Sequence, residues 1–206
     1  MTHPHPHSRL YTVTDYFTWP DRLRCELING EIYNMSPAPT LAHQDATGVL
    51  FALFREQMMT KQGGGDGGTP SSCRVFVSPV DVVLGVDTVV QPDVALVCDP
   101  AKLANGRYID GAPDLVVEVL SPATALRDRR EKRALYAAVG VTEYLLVDPV
   151  ERYMEIYRLD ENQAYGHPLL LGPADSFQSL YFPGITQTLS ELFDWPLERP
   201  APDPRS

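Results

Sequence analysis

Basic residues are in short supply: 17 Lys and Arg stand against 27 Asp and Glu, a formal charge of −10 over 206 residues. That balance excludes a protein that coats nucleic acid through broad basic patches. It does not exclude a nuclease, because divalent metals bring their own positive charge. Cysteine is scarce as well. Cys25, Cys73 and Cys98 form no CxxC pair, so neither a disulfide framework nor a cysteine zinc site is expected. No apolar run approaches the roughly 18 residues of a membrane helix. The opening Met-Thr-His-Pro-His-Pro-His lacks the apolar stretch of a signal peptide. P-loop, H-E-x-x-H and G-x-S-x-G motifs are absent. The expectation is a soluble, cytoplasmic protein of a reducing compartment, without membrane contact.

With 44% hydrophobic and 21% charged residues, the chain has the composition of a folding sequence. Its length suits one domain, expected over residues 11–195. Residues 1–10, where His and Pro alternate, and the Pro-rich residues 196–206 are expected to be tails, since closely spaced prolines cannot hold a helix. His3, His5 and His7 on such a tail would chelate a metal weakly at best. Gly63, Gly65 and Gly68 match G-x-G-x-x-G, but a predicted helix precedes them and a strand follows. The dinucleotide fingerprint needs the reverse order, so a flexible loop is the better reading. Asn34-Met35-Ser36 satisfies the glycosylation sequon, which means little without a secretory signal.

Thr14 can cap a short helix through Phe17. Cys25–Ile28 and Glu31–Met35 flank Asn29-Gly30, the dipeptide best suited to a tight hairpin. From Thr40, apolar Ala46, Val49, Leu50, Leu53, Phe54 and Met58 recur at helical steps, and that helix ends at Gln62. Val75–Leu84 and Val89–Val97 read as paired strands, 99–112 as a loop, and Leu115–Leu120 as a strand central to a covered sheet. Ala125–Val139 is a predicted helix stopped by Gly140. Glu143–Val147 and Arg152–Leu159 are further strands. The order predicts an α/β fold, one mixed central sheet flanked by helices with an N-terminal β-hairpin extension.

Two carboxylates lie where a fold has no structural reason to put them. Asp93 interrupts the apolar run Val-Val-Gln-Pro-Asp-Val-Ala-Leu-Val, and Glu118 interrupts Leu-Val-Val-Glu-Val-Leu. Burying a carboxylate is costly unless it is paired, hydrogen-bonded or bound to a metal. Two on neighbouring strands could converge on a hard cation. The following helix carries Asp128, Lys132 and Tyr136 four residues apart on one face, which lets Lys132 reach over the sheet toward Glu118.

These segments also carry a resemblance. Glu-Leu-Ile-Asn-Gly-Glu-Ile, Met-Ser-Pro with a later His-Gln, Pro-Val-Asp-Val, Val-Gln-Pro-Asp-Val, Pro-Asp-Leu-Val-Val-Glu-Val-Leu-Ser-Pro-Ala-Thr and Glu-Tyr-Leu-Leu-Val-Asp-Pro closely resemble the Uma-two family. That family belongs to the restriction-endonuclease-like, PD-(D/E)XK superfamily. The resemblance implies a restriction-endonuclease-like fold and a DNA endonuclease using Mg²⁺ or Mn²⁺. Asp93 and Glu118 would hold the metal, and Glu31 and His43 would be accessory. Leu120 stands where the superfamily's Glu-x-Lys lysine would be, so Lys132 becomes the third catalytic residue. Paired cuts would favour a homodimer. The rival readings are a catalytically silent nuclease-fold module that binds nucleic acid or mediates assembly, and a hydrolase of small phosphoesters. On sequence grounds Lys132→Met should preserve folding.

Overall fold

The structure, a computed structural model, describes residues 10–20, 24–35, 38–60 and 72–197. The His/Pro tail up to residue 9, Ser36 of the sequon, the glycine run and the Pro-rich end from residue 198 lie outside the described residues.

The strands form two sheets rather than the one expected. A six-stranded sheet has the order β11-β10-β9-β8-β6-β3. Its strands are β3 (Arg74–Val77), β6 (Val94–Val97), β8 (Leu115–Val119), β9 (Glu143–Asp148), β10 (Tyr153–Arg158) and β11 (Leu169–Leu171). The second sheet, ordered β2-β1-β5-β4-β7, takes in the N-terminal hairpin. It comprises β1 (Cys25–Ile28), β2 (Glu31–Asn34), β4 (Val82–Val83), β5 (Val89–Val90) and β7 (Ile109–Asp110). Prolines explain the division. Each of the two long predicted strands is broken, by Pro79 and by Pro92, neither of which can donate a ladder hydrogen bond. The chain therefore pairs as β3 with β6 in one sheet and, beyond the breaks, as β4 with β5 in the other. The predicted 99–112 loop contributes β7, which pairs in parallel with β4.

Asn29 and Gly30 turn the hairpin with φ of +51° and +79°, as the Asn-Gly signal requires. The first helix, α1 (Val13–Tyr16), is capped by Thr12 instead of Thr14. Asp15 sits three residues after Thr12 and closes a capping box with it. Helix α2 (Leu41–Thr60) buries Ala46, Leu50, Leu53 and Phe54 against one face of the larger sheet. The other face carries Ala95, Val97, Val116, Leu120 and Leu146, and is covered by the second sheet and the helical segment that follows β8.

That segment runs as α3 (Ala125–Arg127), a π turn (Asp128–Lys132) and α4 (Arg133–Val139), ended by Gly140 at φ +89°. It links β8 to β9, which are parallel and so require a crossover. The sequence predicted an unbroken α-helix. The π turn appears where the Arg133 N–H reaches the carbonyl of Asp128, five residues back, and the Tyr144 hydroxyl donates to the same carbonyl at 3.0 Å. A last short helix, α5 (Leu189–Phe193), closes the described chain.

Cys73 and Cys98 form a disulfide, although the odd cysteine count and the lack of a CxxC pair gave no indication of a disulfide framework. Arg74 pairs with Val97, so the residues one step further out face each other across β3 and β6. No spacing rule reveals such a cross-strand pair. Disulfides are common in oxidising compartments and rare in reducing ones. Among the described residues no helix is long and apolar enough to cross a membrane.

Candidate active site

Asp93 and Glu118 meet because of sheet register. Val94 pairs with Val117 across the antiparallel β6 and β8, and one further step sets Asp93 opposite Glu118, on the same face. The backbone N–H of Val119 donates to Oδ2 of Asp93 at 2.7 Å, which fixes the carboxylate at the strand end. His43, in the first turn of α2, brings Nε2 to 3.4 Å from the same oxygen. Burial lowers the affinity of His43 for a proton, but the hydrogen bond and charge of Asp93 outweigh it and raise the pKa.

Lys132 comes from the end of the π turn. Its Nζ lies 2.9 Å from Oε1 of Glu118, 2.8 Å from Oε1 of Glu26 and 3.6 Å from Oδ1 of Asp128. The Tyr136 hydroxyl, one turn on, donates to Oε1 of Glu118 at 2.8 Å. Glu118 and Lys132 are each only 4% exposed. Burial pushes the Glu118 carboxyl well above the usual range, Lys132 opposes the rise, and Asp128, Asp93 and Glu26 add to it. Burial disfavours the Lys132 ammonium, yet the surrounding carboxylates raise its pKa well above the ordinary value, so it stays charged. Asp128 is also raised, again chiefly by burial.

The sequence reading thus placed Asp93, Glu118, Lys132 and His43, and the structure brings all four together. Glu31 stands apart. It is exposed on β2 and accepts a bond from the Tyr33 hydroxyl at 3.1 Å. Glu26, five residues earlier, occupies the place assigned to Glu31. It also accepts the Gln91 N–H at 2.9 Å and lies 3.6 Å from Arg127. The sequence did contain its signal: an acid inside the apolar Cys-Glu-Leu-Ile strand, the same pattern that singled out Asp93 and Glu118.

Asp93, Glu118, His43, Lys132, Glu26 and Asp128 line a cavity of about 640 Å³, whose walls also include Arg24, Arg127 and Gln91. Formal charges sum to four carboxylates (Glu26, Asp93, Glu118, Asp128) against Lys132, Arg127 and Arg24, −4 + 3 = −1. Such a deficit calls for protons or a cation. Oδ1 of Asp93 and Oε2 of Glu118 accept no hydrogen bond among the described residues, which leaves each with an oxygen to offer. Among those residues, no three or more His, Cys, Asp or Glu side chains surround a single point as a complete metal cage. Two carboxylates suit Mg²⁺, which keeps waters and takes further oxygens from a phosphate substrate. Glu143 provides a contrast. It is equally buried, but Arg158, Ser179 and the Leu180 N–H satisfy it, as befits a structural acid.

The sequence profile of the Uma2 family, "putative restriction endonuclease", matches residues 13–190. An uncharacterized protein of Synechocystis sp. is 30% identical over 152 residues, 72% of this chain and 74% of its own length. The crystal structure of a "putative nuclease belonging to DUF820" from Anabaena variabilis superposes with a TM-score of 0.70 at 18% identity, covering 90% of this chain and 98% of the other.

Proposed function

The chain belongs to the Uma2 family, and from that premise we propose that it is a metal-dependent endonuclease that hydrolyses DNA phosphodiester bonds. The observation that carries this reading is the Lys132 ammonium, held 2.9 Å from Glu118 on the wall of an open cavity that Asp93 also lines. Asp93 and Glu118 would hold Mg²⁺ or Mn²⁺. Such an ion supplies Lewis acidity toward a phosphate oxygen and lowers the pKa of a water.

The chain's own residues do the rest. Val119 and His43 fix the Asp93 carboxylate, so it enters the reaction without reorganising. Lys132 presents a fixed positive charge to the negative charge that builds on the phosphate. Arg24 and Arg127 on the cavity wall attract the backbone of the incoming strand. Paired cuts across a duplex would take two copies of the chain.

The test is nicking of supercoiled plasmid by wild type and by Glu118→Gln, with Mn²⁺ or Mg²⁺ and with a chelator. Metal-dependent nicking by wild type alone is expected. A second reading, a silent module of the same fold that binds nucleic acid, is favoured by the lack of a complete metal cage among the described residues. Retention of DNA without nicking in either metal would establish that reading instead.

A further inference from the structure

A second cavity, of about 360 Å³, adjoins the first. Its walls combine aromatic rings, Tyr16, Phe17, Trp19 and Tyr108, with Asp81 and Arg107. We propose that this cavity is a subsite for one unpaired nucleobase of a single DNA strand, whose backbone continues over Arg24 into the first cavity. The proposal rests on the nuclease reading only in placing the scissile phosphate in that first cavity.

Three observations carry it. The rings form a platform: Phe17 and Tyr108 stack at 5.1 Å and 25°, while Trp19 packs at 5.5 Å from Tyr16. All four rings pack against the small core of Leu27, Val83 and Val89 and at the same time line the opening, where a base offers a face that any ring can stack on. The polar groups suit a base edge. Oδ1 of Asp81 accepts from the Tyr16 hydroxyl at 2.9 Å and from Nε2 of Gln91 at 2.8 Å. Oδ2 of Asp81 and Oε1 of Gln91 accept nothing among the described residues, so both can take the N–H groups of a base. Finally, Arg24, Pro79 and Gln91 belong to both cavities and form their common wall.

Gln91 joins the two cavities chemically as well. Its side chain binds Asp81 and Tyr16, and its backbone N–H donates to Glu26, the acceptor shared with Lys132. A base seated against Gln91 would bear on the Lys132 cluster through a single residue. The charge pattern points the same way. A protein of net charge −10 has few phosphate contacts to spend on a duplex, and stacking supplies affinity that needs none. A base paired within a duplex cannot enter such a cavity without leaving its stack. Arg24 and Arg107 on the walls disfavour a cationic occupant, which an aromatic cage with one acid would otherwise suit.

The experiment uses the full chain in chelator, so it reads binding without cleavage. A DNA strand of about a dozen nucleotides, within the usual site size, carries one 2-aminopurine and is offered alone or as its duplex. Expected are quenching of the probe on binding and at least about tenfold tighter binding of the single strand. Tyr108→Ala should weaken single-strand binding by about tenfold, and exposed Arg107→Gln should weaken it by a few-fold. Equal affinity for strand and duplex, no quenching in wild type, or unchanged affinity in the Arg107 variant would overturn the subsite. So would tetramethylammonium binding that shifts Trp19 fluorescence when the strand does not. A chain that binds as expected but never nicks plasmid would overturn the nuclease reading and leave the subsite standing.

Discussion

Lys132 and Glu118, 14 residues apart in the chain, are joined by a buried bond of 2.9 Å between Nζ and Oε1. The ammonium is shared with Glu26 at 2.8 Å, so one cation holds acids from two different sheets. That sharing makes Lys132 a structural hub as well as the candidate stabiliser of charge in the reaction.

Lys132→Met is therefore expected to destabilise the fold, contrary to the sequence-based expectation. It leaves Glu118, Glu26 and Asp128 buried without their ammonium, and breaking a buried pair from one side costs about 3–5 kcal/mol. Denaturant unfolding measures the loss. The rate of metal-dependent cleavage should fall by about 10²- to 10³-fold in protein shown to be folded. Adding Glu118→Gln should recover part of the stability and none of the rate. Wild-type stability in Lys132→Met would mean that the three acids are protonated or otherwise satisfied.

The raised pKa of Glu118 fixes the sign of a pH effect in metal-free protein. A carboxyl whose folded pKa lies above its unfolded value, about 4.3 for Glu, binds more protons when folded. Its contribution to stability is fully present below that unfolded value and is lost as pH rises toward the folded one. Thermal melting in chelator should show stability declining over this range, with a shallower decline in Glu118→Gln. Stabilisation by Mn²⁺ should run the other way and grow with pH, because the ion and the proton compete for the same carboxylate. An identical pH profile in the variant would place the titration elsewhere.

The disulfide makes a chemical prediction. Native protein should show no reactive thiol, since Cys73 and Cys98 are bonded and Cys25 is buried. Denatured protein should show one thiol, and three after reduction. The bond closes a separation of 25 residues, for which the chain-entropy model gives about 3.5 kcal/mol. Cys98→Ser should lose stability on that scale. Three thiols counted in unreduced, denatured protein would show that the bond does not form.

Salt dependence reports the number of phosphates engaged. Arg24, Arg127 and Lys132 are the cations lining the first cavity, so the slope of log affinity against log salt should correspond to about two or three phosphates. Divalent metal should matter more than monovalent salt. A slope of about eight phosphates would require a broad basic face, which the net charge argues against.

How much of this was legible in the sequence depends on whether the cause was local. The Asn29-Gly30 hairpin, the faces of α2, the buried β8 and the stop at Gly140 each follow from neighbouring residues: a pair that tolerates positive φ, apolar spacing, an apolar run, an αL position. Asp93 and Glu118 were legible for a related reason. An acid inside an apolar strand is anomalous wherever it sits, and the family pattern marked the same two positions. Glu26 carried that signal too, but with a single acid in a short hairpin strand nothing in the sequence said that it faced Lys132.

Tertiary structure decided what depends on residues far apart in the chain meeting. The prolines at 79 and 92 mark breaks, but only the pairing of β4 with β5 shows that both strands cross together into a second sheet. That crossing brings Glu26 to Lys132 and removes Glu31 from the site. The π turn likewise rests on a contact absent from local sequence, the Tyr144 hydroxyl on the Asp128 carbonyl. Cys73 and Cys98 join because two strands set them in register. Composition and spacing fix which side chains are costly to bury, and the sheet register fixes which of them share that cost.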